Sequence, residues 1–187
     1  MKNVDWNSVC SSKKNYDPDR FLRVKPDCKL KVRLIGLPVK VVKIFSNDKK
    51  CFILKSEEAA KQLKEKYPDM LGNTSVRYAS LCIDRHDNSL KILDMPLSVA
   101  RGFSNRETLV GKKISCKSEG CDWSVVTNGK QGKNVRYEVV YIEETPLSED
   151  EIETITNKKA SPDRSYDLGK IFETSCFAEA EEKLLNG

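Results

Sequence analysis

The chain contains no apolar run near the ~20 residues that a membrane-crossing helix needs. Its first residues, MKNVDWNSVCSSKKN, lack the apolar centre of a secretory signal. These absences predict a protein that does not span a membrane, is not secreted and is cytoplasmic. Histidine occurs once, and neither a GxSxG elbow nor a GxxxxGK[ST] phosphate loop is present. The pairs Gly111-Lys112, Gly129-Lys130, Gly132-Lys133 and Gly169-Lys170 lack the upstream glycine of such a loop. His86 stands in a polar turn and the carboxylates are scattered or gathered near the C-terminus, so no catalytic residues, and no enzyme, are expected. The seven cysteines are odd in number and irregularly spaced, which predicts reduced thiols, not a disulfide framework. Cys116 and Cys121, with four residues between them, have the spacing of half a zinc site, but no second pair accompanies them. Neither a metal nor a cofactor is expected.

What is present is a modest core and an uneven charge. Leu, Ile, Val and Phe make up 47 of 187 residues, about a quarter, which clears the composition of disordered chains. The net charge of +5 conceals a strong polarity. Residues 1–55 hold 14 basic and 5 acidic side chains, residues 56–140 hold 14 and 11, and residues 141–187 hold 5 and 12. A basic body with an acidic end suits a polyanion binder.

The periodicities predict a mainly β protein. Residues 1–28 show no sustained pattern and read as a flexible basic arm. In KLKVRLIGLP, from Lys29, apolar and basic residues alternate as in a half-buried strand. VKVVKIFSN and KKCFIL follow as strands, then SEEAAKQLKEKYPDML as a helix capped by Ser56 and stopped by Pro68. VRYASLCIDR and LKILDM form a hairpin, PLSVARGF a short helix closing near Gly102, and KKISC running into DWSVVTN a kinked strand. RYEVVYIEE is the last strand, followed by an acidic helix, a linker and an amphipathic helical end. With 39–75 set aside as an insertion after the first strand, the order of strands and helix is that of a five-stranded Greek-key β-barrel, the OB-fold. The expected organisation is therefore an arm at 1–28, an OB-fold domain at 29–145 and an acidic helical C-terminal tail at 146–187.

Basic residues recur where strands alternate with the core, at Lys31, Arg33, Lys40, Lys43, Arg77, Lys91 and Arg136. Aromatics interleave with them at Phe45, Phe52, Tyr78, Trp123, Tyr137 and Tyr141. The loop GKQGK adds Lys130 and Lys133 between the last two strands, where OB-folds commonly meet oligonucleotides. A positive groove for phosphates with aromatic faces for bases is the chemistry of single-strand binding. The expected contacts are Lys31, Arg33, Lys43, Phe45, Phe52, Arg77, Tyr78, Lys91, Trp123, Lys130, Lys133, Arg136 and Tyr137. Two other readings fit the same residues: a protein-interaction OB module of a replication or virion assembly, and an RNA-binding OB protein.

Over roughly 25–155, the basic strand KLKVRLIGLP, a long insertion, RYASLCIDR, the step LKILDMPLSVARGF and a last strand running into PLSEDEI give the chain its order. In that order it resembles the gene-32-type single-stranded DNA-binding proteins of tailed phages and related viruses. The resemblance implies an OB-fold that coats single-stranded DNA in replication, recombination and repair, in the host cytoplasm if the chain is virus-encoded. It also implies cooperative self-association through an N-terminal arm, here with Lys13 and Lys14, and a C-terminal tail that recruits replication and recombination proteins. The chain departs from the family in its insertion, which has Cys51 and no histidine and so lacks the family's zinc-binding cluster.

Overall fold

The alternation that starts at Lys29 carries much further than the break at Gly36 and Pro38 suggests. In the computed structural model, which describes residues 19–25, 27–48, 50–111, 113–116, 118–128, 136–160 and 166–186, one strand runs from Lys29 to Phe45. It survives by changing partners. Lys29–Arg33 pair antiparallel with one strand, and Val42–Phe45 pair antiparallel with another.

The described residues form seven strands and five helices: β1 (Phe21–Arg23), β2 (Lys29–Phe45), β3 (Cys51–Leu54), α1 (Glu57–Lys66), β4 (Ser75–Asp84), β5 (Ser89–Pro96), α2 (Leu97–Val110), β6 (Cys121–Asn128), β7 (Arg136–Glu144), α3 (Glu149–Ala160), α4 (Leu168–Ile171) and α5 (Phe177–Leu185). The architecture is mainly β, with a mixed sheet that curls as a half-barrel. Its strand order is β1-β5-β4-β2-β6-β7, with β3 on β2. The chain divides into two compact units. Of the described residues, the sheet unit holds 19–39 and 78–168, and the insertion unit holds 40–77 and 169–186.

The core of the sheet unit gathers alternate residues of its strands, Val32, Leu34, Cys82, Leu93, Met95, Cys121, Trp123, Val125 and Val139, under Val99 and Phe103 of α2. Trp123 is completely buried, edge-on to Phe103 and Tyr141. Gly102 does not end α2 as its sequence suggests. It lies where the helix crosses β7, and a Cβ there would meet Val139 Cγ2 at 2.7 Å. Arg106, one turn on, donates from Nε to the Val139 carbonyl at 3.1 Å. Within the segment read as a loose arm, Phe21–Arg23 instead pair parallel with Ile92–Asp94 of β5. Residues 1–18, with Lys13 and Lys14, lie outside the described residues.

The insertion unit has its own core, of Val42, Ile44, Phe52, Leu54, Ala60, Leu63 and Leu71, completed by Ala180 and Leu184. Ser56 caps α1 as its sequence predicts, accepting from the Ala59 N–H at 3.1 Å. The region read as one tail is thus divided: α3 belongs to the sheet unit, and α5 is a structural part of the insertion unit.

Candidate nucleic-acid interface

On β2, β6 and β7 one set of alternate residues faces the core, and the other set forms the outer face. The register places Lys29 beside Val126 and Glu138, Lys31 beside Ser124 and Val140, and Arg136 beside Asn128. Lys29, Lys31 and Arg136 are exposed on this face. By strand spacing and rise, Lys29 and Arg136 are about 12 Å apart. The hydroxyl of Thr127 fixes this end of the sheet. It accepts from the Cys28 N–H at 2.9 Å and donates to the Lys25 carbonyl at 2.5 Å. Lys29 was absent from the expected contacts, although it stands in the same alternation as Lys31. Lys31 is partly neutralised, since its ammonium lies 3.3 Å from Glu143 and 3.5 Å from Asp122.

Arg33 continues that alternation but has no accessible surface. Its guanidinium donates to the carbonyls of Thr145 (2.9 Å), Leu34 (2.8 Å), Ile114 (3.0 Å) and Cys116. Burial lowers its pKa from the ordinary arginine value, with the Asp122 charge opposing that shift. Gly120 makes room for it, because a Cβ there would overlap both the guanidinium and the Cys116 carbonyl. Of KKISC, read as a strand, Lys112 lies outside the described residues and residues 113–116 form a turn. Arg33 takes the carbonyls that a neighbouring strand would need, and the Cys116 N–H turns back to Lys113 at 3.1 Å.

Lys91 is the second correction, being 8% exposed. Its ammonium donates to Asp84 at 2.9 Å and Asp87 at 2.6 Å. Burial opposes the charge, yet these hydrogen bonds outweigh it and raise the lysine well above its usual range. The same bond, with help from Ser89, holds Asp87 well below the usual carboxylate range. Trp123 and Phe52 are core residues, 0% and 7% exposed, so they offer no stacking face. Among the expected contacts of the sheet unit, Lys31, Tyr78, Arg136 and Tyr137 retain accessible surface. Both tyrosines pack partly against its core.

In the insertion unit, Lys43, Phe45 and Arg77 are half-buried, and the Lys43 ammonium lies 5.6 Å from the Phe172 ring centre. Lys40 pairs with Glu57. Lys130 and Lys133 lie outside the described residues.

The outer face of the sheet unit also holds an ion network. Arg85 Nε donates to both oxygens of Asp122, at 3.0 and 3.1 Å, and its Nη1 donates to Glu151. Burial disfavours the Arg85 charge, but the two carboxylates outweigh it and raise the pKa. Glu151 also accepts from the Ser148 N–H at 2.9 Å, while the Ser148 hydroxyl accepts from the Glu151 N–H at 3.2 Å. The acidic start of α3 is thereby capped and anchored on the sheet unit, with Leu147 and Ile155 buried. The chain matches no family model and no curated protein.

Proposed function

We propose that this protein binds single-stranded DNA without strong sequence preference and coats it during replication, recombination and repair. The observation that supports this best is connectivity. Numbering β2, β4, β5, β6 and β7 as strands one to five, the order β5-β4-β2-β6-β7 reads three-two-one-four-five, with α2 between three and four. That is the order of an OB-fold opened along the seam between strands three and five, so the proposed fold is an OB-fold with the 39–75 insertion after its first strand. In such a fold the loop between strands four and five, here with Lys130 and Lys133, belongs to the binding surface.

Lys29, Lys31 and Arg136 then neutralise phosphates on the outer face. In the insertion unit Phe45 is the stacking candidate, with Lys43 and Arg77 as its cations; in the sheet unit Tyr78 and Tyr137 keep partial exposure on the core-side face of their strands. Arg33, Lys91, Phe52 and Trp123 have structural roles. The double variant Lys29→Glu, Arg136→Glu, measured by fluorescence anisotropy on labelled oligo-dT, is expected to lower affinity at least tenfold at low salt. Lys91→Met is expected to act on thermal stability instead. An unchanged affinity in the double variant would remove this face from the binding surface.

A further inference from the structure

Unit boundaries and chain order disagree in the insertion unit, because part of its core comes from the far end of the chain. Residues 169–186 attach there in two ways. Ser175 bridges the outer edge of β3 in parallel, with its N–H donating to the Ile53 carbonyl at 2.8 Å and its carbonyl accepting from the Lys55 N–H at 3.2 Å. Next, α5 lays Phe177, Ala180 and Leu184, at helical spacing, against the groove of Val42, Ile44, Leu54, Ala60 and Leu63. These are two of the common modes of peptide recognition, strand addition to a sheet edge and a helix in an apolar groove.

The attachment is also charge-matched. Glu181 accepts from the Tyr67 hydroxyl at 2.7 Å and pairs with Lys66. Within the segment, Lys183 donates to the Ser175 hydroxyl at 2.9 Å. The segment caps itself, since Glu179 accepts from the Cys176 N–H at 2.8 Å.

We infer that residues 169–186 are a docking module, and that the groove they fill accepts the same segment from a second copy of this chain. Seven residues, 161–167, separate α3 from α4, and they include Ser161, Pro162, Asp163, Arg164 and Ser165. Such a connection can extend to roughly 25 Å. Departure of the module removes the partners of the Ile53 carbonyl and the Lys55 N–H and uncovers an apolar groove, a combination that associates readily. The ligand that matches edge, groove and Lys66 alike is the module of another copy. Exchange of an identical element repeats the same contacts at low cost. Tail and groove are different surfaces, so the exchange runs head to tail and can propagate from copy to copy. This inference does not rest on nucleic-acid binding.

Two full-length variants test it. Leu63→Asp spoils the groove and keeps the module; Leu184→Asp spoils the module and keeps the groove. Each alone is expected to run as a single chain in size exclusion with light scattering, and their equimolar mixture as a particle of twice that mass. With both variants folded by circular dichroism, a mixture that stays at single-chain mass overturns the inference. If Leu63→Asp does not fold, a labelled peptide of residues 169–186 replaces it. The peptide is expected to bind the Leu184→Asp chain saturably, and the unaltered chain, whose groove is filled, at least tenfold more weakly. No binding to the Leu184→Asp chain then overturns the inference.

Discussion

The two units solve the same problem with different parts of the chain. The sheet unit closes its core with a helix that directly follows a strand, and uses buried charges to tie its loops. Arg33 holds four carbonyls, and Arg85 joins β6 to α3. Among the described residues, the insertion unit has no comparable buried ion. Its core stays incomplete until residues about a hundred positions away supply Ala180 and Leu184. The sheet unit is therefore sensitive to loss of a buried polar group, and the insertion unit to loss of the chain end.

Arg33→Ala should break the sheet unit most severely. It strands four carbonyls and leaves a cavity beside Gly120, at a cost of about 3–5 kcal/mol in denaturant unfolding. A cost below about 1 kcal/mol would mean that the guanidinium is not the tie described here. Leu184→Ala should cost the insertion unit about 2–3 kcal/mol. Amide exchange should speed up in α1 and β3 while the protection of β6 stays unchanged. Faster exchange in β6 would show that the units do not respond separately.

Acidity should sharpen the contrast by a smaller amount. Glu181 is held below the ordinary glutamate range by hydrogen bonds from Lys66 and Tyr67, and Lys66 is raised by the bond to Glu181. A depressed carboxylate stabilises above its unfolded pKa and loses that contribution as pH falls through the folded value. A raised lysine stabilises below its unfolded pKa and loses the contribution as pH rises through the folded value. Docking of α5, followed by exchange of its amides, should be strongest between about pH 5 and pH 10 and weaken on both sides. A flat profile would remove this pair from the docking energy.

These differences explain what the sequence could and could not disclose. The helix over Glu57–Lys66 was legible because capping is local, and β7 was legible because residues 139–142 are a short run of β-branched and aromatic residues. Lys31 and Lys91 look alike in sequence, each flanked by apolar residues on a strand. Both lie on strands paired on both sides; Lys31 is exposed on the outer face, while Lys91 reaches two aspartates that make its burial tolerable. Arg33 was misread for the same reason: its partners are carbonyls from positions 114, 116 and 145, which no local pattern announces. Trp123 was expected among the nucleic-acid contacts, yet it is completely buried, and its neighbour Asp122 is itself buried under Arg85. Lys29 could have been found, since it extends the alternation of Lys31 by one step.

The central claim is that exposed cations of the sheet unit bind a polynucleotide by neutralising phosphates. Its most direct test is the affinity of the full chain for labelled oligo-dT across a tenfold range of salt. The account predicts that log affinity falls linearly with log salt, by about 0.7 for each phosphate neutralised, and that the Lys29→Glu, Arg136→Glu variant has a slope shallower by one to two such steps. Binding that is undetectable at low salt, or indifferent to salt over that range, would contradict it.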